Sequence, residues 1–311
     1  MKKIKRLLCN RDFILFLALT LGLLLGQGAR WTEQLTLPAL GVVMTLSTMT
    51  ISGAIFRSPK AMVVPAFTGI VMNYAVLSSI ILALNQMIIR EEAIWRGFVI
   101  LAAVPPAVAV IPFTGFLKGD VTFSLIASIG AYLGALIITP MMAFGFLGTS
   151  FIDPNKLLTI MVELIILPLI LSRILLWTGA GMRIDPIKGA ITNWSFFIVV
   201  YTVVGLNREV FLGQPLSLIP VVAIAIASTF FLGWIIENVG HLFRIGPKKV
   251  SSLVLLGTLK NYGLAAGLSL TLFSKQTAIP ATVSAIFLIV YIIWLGFKKR
   301  WRQHMVGVGN F

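Results

Sequence analysis

Residues 251–273 read SSLVLLGTLKNYGLAAGLSLTLF, an apolar run with one ammonium, Lys260, near its middle and Asn261 beside it. A bilayer-spanning helix takes ~20 mostly apolar residues, which this run supplies. A lysine at the centre of such a helix costs ~2.5–3.5 kcal/mol on insertion scales. It therefore turns away from lipid, toward something else in the protein.

The rest of the chain has the same character. Across 311 residues 58% are hydrophobic and 11% charged, with a mean hydropathy of +0.99. That is more apolar surface than a water-soluble fold of this size could bury, and it defines an all-α integral membrane protein. Charges, glycines and prolines divide the chain into about ten apolar runs, at 12–28, 35–54, 61–86, 93–117, 121–147, 156–177, 190–206, 216–239, 250–273 and 277–297. The loops between them are short, so residues 1–311 are expected to form a single polytopic membrane domain whose function sits among its helices.

The formal charge of +15 does not point to nucleic acid, because no soluble domain carries a binding face. Topology explains it better. With the termini and every second loop on one side, that side holds seventeen of the 25 basic residues and the other six, with Arg173 and Lys260 left inside spans. Both termini are expected to be cytoplasmic and the protein to lie in the plasma (inner) membrane. The basic start and apolar centre of residues 1–29 are read as a first spanning helix rather than a secretory signal. Cys9 is the single cysteine, so no internal disulfide is possible.

Ten runs suggest two five-helix repeats, 1–150 and 151–311, inverted because five is odd. The fourth and ninth runs are the ones to compare. Residues 96–120, RGFVILAAVPPAVAVIPFTGFLKGD, carry Pro105, Pro106 and Pro112; the ninth run carries Lys260, Asn261, Gly263 and Gly267. Both break near the middle, at matching places in the two halves. Proline removes a hydrogen-bond donor and clashes with the preceding turn. Backbone groups freed at membrane depth persist only where they are buried in protein or line a wet cavity. A single break would be an ordinary kink; two in symmetric positions point to a binding site.

Polar side chains within the runs are few. The ten carboxylates fall mostly in loops or at helix ends, and His241 and His304 offer no metal-ligand spacing. Neither a metal site nor a paired-carboxylate or nucleophilic enzyme site is supported. For Lys260 three readings stand: it neutralises a buried carboxylate such as Glu163, it holds an anionic substrate, or it exchanges a proton during transport. Arg173 lies near a run end and can snorkel. Asn73 sits mid-run in the third helix, either bonding a neighbouring helix or facing a central cavity. Ser124 and Ser128 are four apart on one face of the fifth run, able to ligate a cation or to bond back to helix carbonyls.

Residues 104–140, VPPAVAVIPFTGFLKGDVTFSLIASIGAYLGALIITP, resemble a segment of the bile acid:sodium symporter family. There a Pro-Gly-Gly break is followed by a Ser-Asn pair, a Lys/Arg-Gly-Asn/Asp turn, a Ser/Thr-rich helix and a terminal Thr-Pro. Here the break proline is Pro105, the turn is Lys118-Gly119-Asp120 and the end is Thr139-Pro140. LKNYGLAAGL, residues 259–268, resembles the ninth-helix pattern Gln-Asn-Ser-Gly-Leu-Ala, which follows a glutamate four residues earlier. The motif-level resemblance covers residues 61–140 and 245–300.

The resemblance implies ten helices in two inverted five-helix repeats, with broken helices four and nine crossing near the midplane in a core domain and a panel domain moving against it. It also implies carriage of a small organic anion, often driven by sodium. The family's sodium sites look altered here. The Ser-Asn pair becomes Val110-Ile111, the glutamate becomes Leu256 and the glutamine becomes Lys260; Ser124, Ser128, Asn73 and Asn261 survive. Replacing a carboxylate and an amide by hydrocarbon and an ammonium turns a cation-binding place into a cation.

The expected function is therefore a secondary transporter of an organic anion, without ordinary sodium coupling and with Lys260 in place of the ion. Proton coupling and plain facilitated transport stay open, and no other cofactor is implied. Pro105, Pro106, Lys260, Asn261 and Asn73 would form the substrate site, Ser124 and Ser128 the ion-site remnants, and Glu163 the partner of Lys260. The competing readings are a non-transporting ligand sensor or assembly partner of the same fold, and an exporter of the related arsenite or auxin-carrier type.

Overall fold

The computed structural model describes residues 11–49, 59–107, 109–148, 155, 159, 162–213 and 215–308. Its main helices are α1 (Arg11–Leu24), α2 (Thr36–Thr48), α3 (Met62–Ile88), α4a (Glu92–Ala103), α4b (Val110–Phe116), α5 (Val121–Leu147), α6 (Leu167–Trp177), α7 (Ala180–Leu206), α8 (Pro215–Leu242), α9a (Pro247–Leu256), α9b (Tyr262–Leu272) and α10 (Ile279–Val308). No strand occurs among the described residues, only one isolated bridge, Pro106 to Lys260.

α3, α5, α7, α8 and the α10 region are each long and apolar enough to cross a membrane, and α1 and α2 belong to a pair bent by 94° that makes a sixth span if counted as one. Their outer faces are hydrocarbon: Phe16, Phe67, Ile137, Met141 and Phe231 are exposed. This is the surface an integral membrane protein presents to lipid. Buried hydroxyls return to their own helices, as Thr114 to Val110 O and Ser228 to Ile224 O, each one turn back.

α7 begins at Ala180, ten residues before the apolar run that marks it, so Arg183, Asp185 and Lys188 ride on the helix rather than in a loop. A hydropathy boundary stops at the first charges, whereas helical hydrogen bonding continues past them. The turn between α6 and α7 is made at Gly179, whose φ of 73° needs a residue without Cβ.

The helices form two layers. α7 packs on α1 and α2, and α6 on α2; the other layer joins α3, α4, α5, α8, α9 and α10. In the second layer α3 and α5 approach so closely that a Cβ on Gly130 would lie 2.5 Å from Ala66 Cα, and one on Gly69 would run into Ala127 O. α9b touches α2 and α7, and α10 touches α7, across the boundary between the layers.

Candidate functional site

The break in α4 follows from its two prolines. Without N–H groups, Pro105 and Pro106 cannot bond the carbonyls one turn back at Leu101 and Ala102, and the helix ends at Ala103. The carbonyls from Ala102 to Ala107 then find partners outside regular helix. Ala102 O accepts from Ser78 Oγ and Lys260 Nζ, both at 2.7 Å, and Ala103 O from Thr139 Oγ1 at 2.7 Å. Val104 O accepts from Lys260 Nζ at 2.9 Å, Pro105 O from Asn261 N–H at 2.9 Å, Pro106 O from Tyr132 OH at 2.9 Å and Ala107 O from Val110 N–H at 3.0 Å. In return Ala107 N–H donates to Leu259 O at 3.1 Å. The breaks of the fourth and ninth helices thus pair with each other as a short antiparallel bridge.

Lys260 is fully enclosed. Its ammonium donates to Asn73 Oδ1 at 2.7 Å, Ser78 Oγ at 2.8 Å, Ala102 O and Val104 O, and lies 4.7 Å from the centre of the Tyr74 ring. Four oxygens surround three protons, and the ring face adds a cation–π contact. All of these partners are neutral. The arrangement is an oxygen cage around a monovalent positive charge that the chain itself supplies.

The cage depends on a local irregularity of α3. Residues Val71–Ser78 wind as a π-helix, the wider i→i+5 turn. Ser78 accordingly donates to Asn73 O five residues earlier, at 2.9 Å, and Asn73, Tyr74 and Ser78 all meet Lys260. In a regular α-helix positions five apart do not share a face.

Asn261 holds the other end of the crossing. Its Oδ1 caps α9b by accepting from Leu264 N–H at 3.1 Å, and its Nδ2 donates to Tyr132 OH at 3.2 Å and Met44 Sδ at 3.6 Å. Tyr132 therefore ties both breaks to α5, and Met44 brings in α2 from the other layer. The Lys118-Gly119-Asp120 turn docks below: Asp120 caps α5 through Phe123 N–H, and its backbone N–H reaches Lys248 O at 3.1 Å. Ser252 Oγ donates to Asp120 O at 3.0 Å. A Cβ on Gly119 would sit 2.8 Å from Thr114 Cγ2, which explains a glycine there.

The structure brings Pro105, Pro106, Lys260, Asn261 and Asn73 together at this crossing, all buried. Glu163 is not among them. It is exposed on the π turn Val162–Ile166, next to α6 and α2, and the partner it was expected to be is replaced by neutral oxygens, which meet the ammonium without burying a second charge. Ser124 and Ser128 are buried on one face of α5 but do not touch Lys260; Ser124 Oγ accepts from Thr114 at 2.9 Å, and Ser128 Oγ has no partner among the described residues. Val110 and Leu256, which the resemblance aligns with two sodium ligands, are fully enclosed and belong to the apolar core. Arg173 is half-buried and donates to Thr48 O at the end of α2.

Three participants escaped the sequence reading. Ser78 was hidden by the π turn. Tyr132 and Thr139 carried a signal, since Tyr132 lies four residues after Ser128 on the same face of α5. Thr139 belongs to a Thr-Pro motif whose hydroxyl acquires meaning only as the cap of the broken α4a.

A cavity of about 310 Å3 lies beside the crossing, between the layers. It is bordered by residues of α1 such as Leu15, Phe16 and Leu19, of α7 such as Phe196, Val200 and Val203, and of α10 such as Thr282, Ile286 and Val290, by Ala107 and Ala109 of the α4 break, and by residues 260–263 and Ala266. Neither α3 nor α4a borders it, so the partners of the ammonium lie on the far side of the α9 break.

Two broken helices crossed inside a helical membrane protein, with a buried charge at their junction and a cavity alongside, define the class of membrane transporters. The chain belongs to the SBF-like CPA transporter family (DUF4137), whose model matches residues 13–296. That family comprises bile acid:sodium symporter-like transporters rather than enzymes. No curated protein matches the chain.

Proposed function

We propose that the protein is a secondary transporter that works by alternating access without sodium, the ammonium of Lys260 standing permanently in a place where a coupling cation would otherwise bind. The single observation that carries this reading is the oxygen cage filled by Nζ, with distances of 2.7–2.9 Å to four neutral oxygens. A second cation there would meet direct repulsion at a few ångströms in a low-dielectric interior. A tethered charge also cannot leave with the cargo, so the cage supplies no driving force from a sodium gradient.

On this reading the helices make ten crossings in two inverted repeats. Support comes from position: α4 and α9 are both broken, and α3 and α8 both contain π turns, at Val71–Ser78 and Ala227–Phe231. α1, α2, α6 and α7 form the panel, the remaining helices the core, and the cavity lies where the two would slide.

The test is access from both sides. In a Cys9→Ser background, Thr282→Cys places a thiol on the cavity wall. A membrane-impermeant maleimide should label it both in right-side-out and in inverted vesicles, at rates equal in sodium and choline chloride. Labelling confined to one side refutes alternating access, and a rate that depends on sodium refutes the tethered-cation reading.

A further inference from the structure

The cavity has no unspent side-chain donor among the described residues that border it. Both Nδ2 protons of Asn261 go to Tyr132 and Met44. Thr282 Oγ1 donates to Ala278 O at 3.0 Å on its own helix, and Tyr262 OH to Thr258 O at 3.4 Å. The ammonium of Lys260 is wholly engaged on the α3 and α4a side. What is left on the wall is aliphatic and aromatic surface, the lone pairs of hydroxyl oxygens whose protons are already donated, and the backbone N–H of Gly263 in the first turn of α9b.

An anion in such a place would leave water and meet no side-chain donor; the backbone N–H of Gly263, in the first turn of α9b, offers one bond where a carboxylate has about four acceptor sites to satisfy, so most of its charge stays unanswered, which is the costly case of polar burial. A neutral hydroxyl would lose far less, because it can donate to the remaining lone pair of Thr282. The wall also reaches the outside of the bundle: Phe16 is 66% and Val290 50% exposed, and both border the cavity. They stand on α1 and α10, on the surface that faces hydrocarbon.

We infer that the cavity binds an uncharged, predominantly hydrocarbon molecule bearing at most a hydroxyl, admitted from the bilayer between α1 and α10. This rests on the reading of the cavity as the cargo site of a transporter. It departs from the organic anion that the family resemblance implies, because the one cation near the site is spent inside the protein. The cavity is at the small end of ligand pockets, which suits a single isoprenoid or acyl chain rather than a bulky polycyclic body.

The experiment uses the full chain in lipid nanodiscs and equilibrium binding of alcohol–carboxylate pairs with one skeleton each: farnesol with farnesoate, retinol with retinoate and dodecanol with dodecanoate. Each is measured in sodium and in choline chloride. At least one alcohol should bind saturably and about tenfold or more tighter than its carboxylate. Val200→Trp and Ile286→Trp, each filling the cavity from a different helix, should weaken that binding by a similar factor. The comparison within the parent chain stands even if either variant fails to fold. Equal or tighter carboxylate binding, no saturable binding of any alcohol, or undiminished binding in a folded tryptophan variant overturns the inference. A sodium requirement with alcohol preference intact refutes the sodium-free reading and leaves the substrate class standing; carboxylate preference without a sodium effect does the reverse.

Discussion

Replacing Lys260 by methionine keeps a long unbranched side chain and removes the three protons that hold the cage. Four acceptors lose their donor, but Ala102 O keeps the Ser78 hydroxyl at 2.7 Å, and Ser78 Oγ itself goes on donating. Asn73 Oδ1 and Val104 O are left buried without a partner. Each such orphan costs ~1–3 kcal/mol, so Lys260→Met should destabilise the protein by about 2–6 kcal/mol. Methionine also relieves the burial of an ammonium, a cost of ~2.5–3.5 kcal/mol. The charge-assisted bonds that vanish with it are of the same order, which leaves the orphaned oxygens to decide the sign. Lys260→Gln should lose less, since its amide can serve two acceptors, and it should gain something the parent lacks. With the fixed charge gone, the oxygens face an uncharged gap and sodium should bind; at 100 times its dissociation constant the ion would add about 2.7 kcal/mol. Equilibrium unfolding in mixed micelles, with sodium against choline, measures both effects. A methionine variant within ~0.5 kcal/mol of the parent, the range of an inconsequential substitution, would refute the cage as a structural element. Sodium stabilisation of the parent would refute the tethered cation.

Two further outcomes follow from the packing. Gly130→Ala should destabilise by at least ~1–3 kcal/mol, because its Cβ would fall 2.5 Å from backbone Ala66 Cα; Gly189→Ala, with nothing within 4 Å, should be neutral or stabilising by up to ~1 kcal/mol, and thermal unfolding of the pair checks the contrast. Tyr132→Phe removes the 2.9 Å bond to Pro106 O and strands one Asn261 proton, and should cost about 1–3 kcal/mol while leaving the response to sodium unchanged.

Much of the plan is legible in the chain because the bilayer imposes it locally. A stretch such as 121–147 must satisfy every backbone group within itself, so hydropathy alone marks α5, and Pro105-Pro106 marks the end of α4a by removing two donors. That both α4 and α9 are interrupted can be read off the sequence. Lys260 and Asn261 announce themselves by cost, since an unpaired polar side chain at that depth would not persist.

What the sequence could not decide is which atoms answer those costs. Glu163 looked a suitable counter-charge for Lys260 because charge and depth are one-dimensional properties; its exposed position beside α6 is set by packing. The cage is built from a π turn that alters which residues of α3 share a face and from carbonyls, which every residue has and no sequence distinguishes. The direction in which the ammonium points was decided by the same crossing, and with it the chemistry of the cavity. The chain by itself determined a helical membrane protein with two interrupted helices and a buried cation. Only the tertiary structure turned that cation away from the cavity, because the freed oxygens of α4a lie on the other side of the break.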